Sequence, residues 1–152
     1  MVKMLDTYQN LSQKDIEEFE TKNNIKLTDH YKEFLLKWNG GTPNVGVFMI
    51  SEWGGETVMH YFHSIGDTYY DIEDFMDILD LRLPEGFIPI GNDGGGNALL
   101  LGISELHYDR IYFWDHEQEV DEPDMSNMYF LADNIWEFLD NLYEDESDDE
   151  EE

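Results

Sequence analysis

The chain has 152 residues, 41% of them hydrophobic and 14% aromatic, a composition that predicts a packed domain and excludes a wholly disordered chain. The absence of cysteine excludes disulfides, thiolate zinc sites and a thiol nucleophile, and it fits a reducing cytoplasm. The N-terminus lacks the pattern of a signal peptide, and no apolar run is long enough to span a membrane. We therefore expect a cytoplasmic protein.

The net charge of −28 is distributed unevenly along the chain. Residues 1–37 carry six lysines against seven acidic residues, whereas residues 38–152 carry two arginines against 29 acidic residues. Such a field repels phosphate backbones and anionic lipid headgroups. We therefore expect neither nucleic acid nor membranes as partners, and we expect a basic protein surface instead. The simpler alternative is that the acidity only keeps the protein soluble.

Two helices are predicted near the N-terminus. Ser12 and Asp15 form a capping-box pattern for the first helix, which ends at Asn23 and Asn24. Thr28 is the predicted cap of the second helix, whose apolar residues lie on one helical face: Tyr31, Phe34, Leu35 and Trp38. The following Asn-Gly-Gly sequence is typical of a left-handed helix end.

The rest of the chain reads mainly as β-structure. The predicted elements are strands at 45–51 and 56–64, a helix at 72–79, strands at 87–91, 97–102, 110–116 and 128–131, and a last helix that Asp133 caps. This order predicts an α+β fold: a single domain with a mostly antiparallel sheet of about five to six strands and helices packed around it. We expect the domain to cover residues 1–143 and the acidic segment 144–152 to be a disordered tail.

Few residues form patterns that could carry chemistry. The glycine-rich segment 92–97 lacks the lysine of a phosphate loop and leads into a strand, so it favours a structural hairpin over a phosphate or calcium site. No motif for a nucleophile is present. We expect no metal, no cofactor and no catalytic residue. A metal-dependent enzyme built on Asp93, Asp115 and His116 is the alternative from another class.

Four segments keep their order and spacing between residues 27 and 142: LTDHYKEFLLKWNGG (27–41), FIPIGNDGGGNALLLG (87–102), RIYFWDHE (110–117) and LADNIWEFLDNL (131–142). Together they resemble the SUKH superfamily, although Thr28 stands where the family usually has proline. The residues that match motif positions are Asn39, Gly40, Asp93, Gly95, Gly96, Asn97, Trp114, Asp115 and His116. The resemblance implies a SUKH-like α+β fold, in which these residues maintain turns and packing, and it supplies no catalytic residue.

The superfamily contains fungal cell-wall-assembly regulators of the Smi/Knr type and bacterial immunity proteins of polymorphic and contact-dependent toxin systems. The resemblance therefore implies an immunity protein that neutralises a cognate toxin, and the acidic charge suggests that this toxin is a basic nuclease. A non-catalytic regulatory scaffold of the Smi/Knr type is the alternative, and an unspecific acidic decoy for basic proteins is another.

Residues 42–86 match no motif of the superfamily, and partner-specific residues are expected there. Trp and Tyr are over-represented at interface hot spots, and this region combines them with acidic residues. Trp38, Trp114 and Trp136 are expected in the core. The predicted partner-binding residues are Trp53, Glu56, Tyr69, Tyr70, Asp71, Glu73 and Asp74.

Overall fold

The computed structural model describes residues 2–66 and 71–144. Tyr69 and Tyr70 lie outside the described residues, as does the acidic tail apart from Glu144. The described chain forms one domain with four helices, a six-stranded antiparallel sheet and a separate two-stranded sheet. The predicted α+β fold, with a mostly antiparallel sheet of about five to six strands, is therefore confirmed.

The helices are α1 (Gln13–Asn23), α2 (Asp29–Lys37), α3 (Ile72–Ile78) and α4 (Ile135–Asp140). The predicted capping box begins α1: the Ser12 hydroxyl accepts from the Asp15 backbone N–H at 3.2 Å, and the Asp15 carboxylate accepts from the Ser12 N–H at 2.8 Å. The prediction for α4 was wrong by one residue. Asn134 is its cap, because the Asn134 side-chain oxygen accepts from the Glu137 N–H at 3.0 Å.

The strands of the large sheet are β3 (Val47–Ile50), β4 (Gly55–Phe62), β5 (Phe87–Asp93), β6 (Ala98–Gly102), β7 (Ile111–Trp114) and β8 (Met128–Ala132). Each strand pairs antiparallel with the next one along the chain, so the sheet is a simple meander. The small sheet pairs β1 (Met4–Leu5) with β2 (Thr42–Pro43). This pair was not predicted, because a two-residue strand is too short to show alternation.

The two faces of the large sheet are buried to different extents. One face packs against α1, α2 and α4, where Phe34, Phe62 and Phe138 are almost fully buried. The other face carries a smaller buried cluster: Leu79, Phe87, Ala98, Leu100, Tyr112, Trp114 and Met128. Trp114 is buried as expected, whereas Trp38 and Trp136 are half-buried, with ring centroids 6.4 Å apart.

The large sheet is strongly curled. Its two edge strands, β3 and β8, approach to within 8 Å between Cα atoms. Because of this curl, the turn between β3 and β4 reaches the end of β7. His116, which the sequence placed in a strand, lies instead in a 3₁₀ turn at His116–Gln118, because β7 already ends at Trp114.

Candidate functional site

The described members of the predicted partner-binding set fall into two groups. Trp53 lies in the turn before β4 and Glu56 lies at the start of that strand. The other three, Asp71, Glu73 and Asp74, lie at the start of α3, beyond the opposite end of β4. A strand of eight residues such as β4 is about 23 Å long. The two groups therefore form separate surfaces at opposite ends of β4.

The first surface is built around Trp53, whose side chain is partly anchored and partly exposed. Its indole Nε1 donates to Asp115 Oδ2 at 2.9 Å, and its ring centroid lies 5.5 Å from that of Phe113. The residue is still 39% exposed. Trp53 therefore combines a fixed orientation with a free apolar surface, a combination found in interface anchors.

The turn between β5 and β6 lies next to this surface and is organised by the Asp93 carboxylate. Oδ1 accepts from the Gly95 and Asn97 backbone N–H groups at 3.0 and 2.7 Å. Oδ2 accepts from the Thr57 hydroxyl at 2.9 Å and from the Asn97 side-chain amide at 3.1 Å. Four donors thus point at a carboxylate that is only 4% exposed, and they explain why aspartate suits this position.

Asn97 and His116 connect this turn to Asp115. Because Asn97 Nδ2 donates to Asp93, its Oδ1 faces His116 and accepts from the His116 backbone N–H at 3.1 Å. The same Oδ1 lies 2.6 Å from His116 Nδ1, so Nδ1 must carry a proton. Asp115 Oδ1 in turn accepts from the Glu117 N–H at 3.0 Å. Asp93, Asn97 and His116 thus form a hydrogen-bond network that holds the turns in place, and Asp115 precedes His116 directly in the chain.

This geometry gives the proposed metal-dependent chemistry no support. The Asp93 oxygens face four donors, and both Asp115 oxygens accept hydrogen bonds. Within residues 2–66 and 71–144, no three His, Cys, Asp or Glu side chains are grouped so that they could hold a metal ion. In this network, the residues that match the family motif connect turns.

The second surface is an open groove between α1 and α3, with a volume of about 1070 Å³. We call it the α1–α3 groove; its lining residues used below are Leu11, Asp15, Glu18, Phe19, Lys22, Asn39, Ile65, Asp71, Glu73, Asp74, Met76 and Asp77. Six of its side chains are carboxylates and one is a lysine. The groove therefore has a strongly negative lining, to which the predicted residues Asp71, Glu73 and Asp74 contribute.

The three predicted residues in this groove have different environments. Asp71 is 6% exposed and caps α3 by accepting from the Asp74 N–H at 2.8 Å. Glu73 forms an ion pair with Lys22 of α1 at 3.0 Å and accepts from the Asn23 side chain at 3.3 Å. Asp74 is exposed. Asp71 is thus mainly a structural residue, Glu73 connects the two walls, and Asp74 faces solvent.

Asn39, one of the residues that match the family motif, lies at the base of the α1–α3 groove. Its side chain is buried, accepts from the Ile65 N–H at 2.8 Å, and donates to the carbonyls of Ile65 and Gln9 at 2.9 Å each. Asn39 therefore ties the segment before α1 to the segment before α3. The α1 carboxylates of the groove, Asp15 and Glu18, were missed, although their spacing of three residues places them on one helical face.

The fold and these motif positions define a domain of the SUKH type. The model of the SMI1 / KNR4 family (SUKH-1) matches residues 10–141, which is most of the chain. The chain therefore belongs to this family, as the four sequence segments indicated. No individual curated protein matches the chain. Within the described residues, no helix has the length and apolar character that crossing a membrane requires.

Proposed function

We propose that this protein is an immunity protein that binds a basic toxin, a nuclease in the simplest case, and neutralises it in the cytoplasm of the producing cell. The observation that carries the proposal is the charge of residues 38–152, which hold 29 acidic residues against two arginines within a SUKH domain. Nucleases bind phosphates through basic surfaces, and an acidic domain competes for such a surface. No catalytic step is required for this role.

The two surfaces suit different steps of binding, association for one and slow dissociation for the other. The α1–α3 groove concentrates exposed carboxylates, which accelerate encounter with a basic partner. Trp53 offers a fixed aromatic surface and lies near Glu56, whose carboxylate accepts from the Tyr143 hydroxyl at 2.5 Å. Anchors of this kind chiefly slow dissociation. Charge would therefore set the rate of capture, and the aromatic contact would set its duration.

The decisive experiment is co-expression with the toxin domain encoded by the adjacent gene. We expect cells that produce both proteins to grow and the purified toxin to lose activity at a one-to-one ratio. A matched acidic protein of another fold serves as the control for unspecific charge. A neighbouring gene without a toxin domain, or a toxin that stays active at equimolar ratio, contradicts the proposal.

Stopped-flow association then tests the role of charge. Charge reversal by Glu73→Lys and Asp74→Lys should slow association, and raised ionic strength should slow the wild type in the same way. The matched control is Glu105→Lys with Glu122→Lys, two exposed positions outside both surfaces. If the association rate does not change with salt, electrostatic steering is the wrong explanation.

The family match also supports a second candidate, a non-catalytic regulatory scaffold of the Smi/Knr type, because the matching model is that of SMI1 / KNR4. A pull-down from the native cell separates the candidates. An immunity protein should retain one partner at high salt, a scaffold should retain several signalling or wall-synthesis proteins, and an unspecific acidic decoy should release all of them.

A further inference from the structure

We propose that the α1–α3 groove binds an extended basic segment of the partner, whose apolar side chains contact the floor while its lysine or arginine side chains pair with the rims. The proposal rests on the proposed function only for the identity of the partner. The chemistry of the segment is inferred from the lining of the groove.

The floor of the α1–α3 groove carries four apolar side chains beside Asn39. Phe19 and Ile65 are 4% and 8% exposed, and Leu11 and Met76 are half-buried. Phe19 and Ile65 are already covered by the protein itself, whereas Leu11 and Met76 keep apolar surface that a ligand can cover, and covering apolar surface is favourable in proportion to its area. The floor therefore favours a ligand that brings apolar groups of its own.

The rims of the groove are acidic on both sides. Glu18 of α1 and Asp74 and Asp77 of α3 are exposed and line the groove together. The one lysine in the lining, Lys22, already pairs with Glu73 across the two helices at 3.0 Å. This ion pair shows that a lysine side chain that starts from one wall reaches a carboxylate of the other wall. A partner's arginine or lysine can therefore bind in the same manner.

The size and shape of the groove fit a chain segment better than a compact small molecule. Small-molecule pockets measure about 300–1,000 Å³ and enclose most of their ligand. This groove, at about 1070 Å³, is as large as the largest of them and is open to solvent. An extended segment directs alternate side chains to opposite sides, so apolar residues can face the floor while basic ones reach the rims.

The first test measures binding of a fluorescein-labelled synthetic peptide of alternating arginine and leucine to the full chain by anisotropy at low ionic strength. The groove variant combines Glu18→Gln, Asp74→Asn and Asp77→Asn. The control variant makes the same change in net charge on exposed residues outside the groove: Glu105→Gln, Asp121→Asn and Glu122→Gln. Circular dichroism verifies that both variants fold.

We expect the groove variant to bind the peptide about tenfold more weakly, the effect of losing three exposed ion pairs of average strength. The control variant should stay within about twofold of the wild type, because only long-range charge is lost. A peptide of alternating arginine and serine, equal in charge but without apolar side chains, should bind more weakly than the arginine–leucine peptide. Equal loss in both variants, or equal binding of both peptides, overturns the proposal.

The same variants separate this proposal from the proposed function. If the wild type neutralises its toxin and the groove variant binds that toxin as tightly as the control variant does, the groove proposal is wrong and the immunity role stands. If no toxin is bound but peptide binding still depends on the groove residues, the immunity role is wrong and the groove remains a site for basic segments.

Discussion

The indole Nε1 of Trp53 donates to Asp115 Oδ2 at 2.9 Å and joins two residues that are 62 positions apart in the chain. The bond ties the β3–β4 turn to the end of β7, where the ring also packs against Phe113. Trp53 therefore contributes to stability as well as to the exposed surface. A loss of partner binding in Trp53→Ala would have two possible causes, so the stability of such variants has to be measured first.

We expect Trp53→Ala to lower the free energy of unfolding by about 2 kcal/mol, because it removes both the ring contact and the hydrogen bond to a charged acceptor. Trp53→Phe keeps most of the ring contact and should cost about 1 kcal/mol. Urea denaturation measures both values. Leu106→Ala, at a side chain that is 78% exposed, is the control and should change little. Equal effects at positions 53 and 106 would mean that Trp53 is not an anchor.

The Asp93 carboxylate gives a second prediction. Asp93→Asn replaces one accepting oxygen with an amide group that faces the existing donors without an acceptor. It should therefore lower the free energy of unfolding by about 3 kcal/mol. Thr57→Val removes one of those donors and should cost about 1 kcal/mol. Thermal or urea denaturation provides the comparison. Calcium and EDTA should leave the wild-type midpoint unchanged, and a calcium-dependent rise that Asp93→Asn abolishes would show that Asp93 binds a cation instead.

The parts of the fold that sequence predicted well are those fixed by local chemistry. The capping box of Ser12 and Asp15 and the apolar spacing of α2 depend on residues within one or two helical turns. The β3–β4 and β5–β6 hairpins were predictable for a related reason, since a short turn leaves each strand beside its neighbour along the chain. The shift from Asp133 to Asn134 shows the limit, because either side chain can cap a helix and geometry decides between them.

The candidate sites depend on contacts between distant residues and were only partly predictable. Trp53 and Asp115 meet because the sheet curls, and Asn39 bonds to Ile65, 26 positions away. Register shifts between Met59 and Tyr61 and between Pro89 and Gly91 add irregularities that alternation does not reveal. The sequence predicted a set of interface residues, but not that β4 separates the described members of this set into two surfaces.

Two glycines with positive φ give a third prediction. Gly41 has φ of +116°, and a Cβ added there would lie 2.6 Å from the Leu5 carbonyl oxygen in β1. Gly54 has φ of +85°, but an added Cβ would meet nothing within 4 Å. Gly54→Ala should therefore cost about 1 kcal/mol, for backbone strain alone. Gly41→Ala should cost about 3 kcal/mol, because overpacking is added. Equal midpoints in urea would contradict the close contact between β1 and the segment at Gly41.

The ion pair of His30 with Asp109 predicts a pH dependence. The Nδ1 of His30 lies 2.6 Å from Asp109 Oδ2, and this hydrogen bond raises the His30 pKa above its usual value. The folded protein therefore binds this proton more tightly than the unfolded chain, so the pair stabilises fully below about pH 6.5 and the effect is lost as pH rises through the raised pKa. Because His30 is half exposed, we expect the pair to contribute up to about 1 kcal/mol to the free energy of unfolding. Urea denaturation of the wild type and of His30→Gln between about pH 5 and 8 measures this contribution as the difference between the two proteins. In an Asp109→Asn background the pH-dependent difference should disappear. Asparagine is the suitable replacement because it tolerates the positive φ of 73° at position 109. A difference that is constant with pH would mean that His30 contributes only packing.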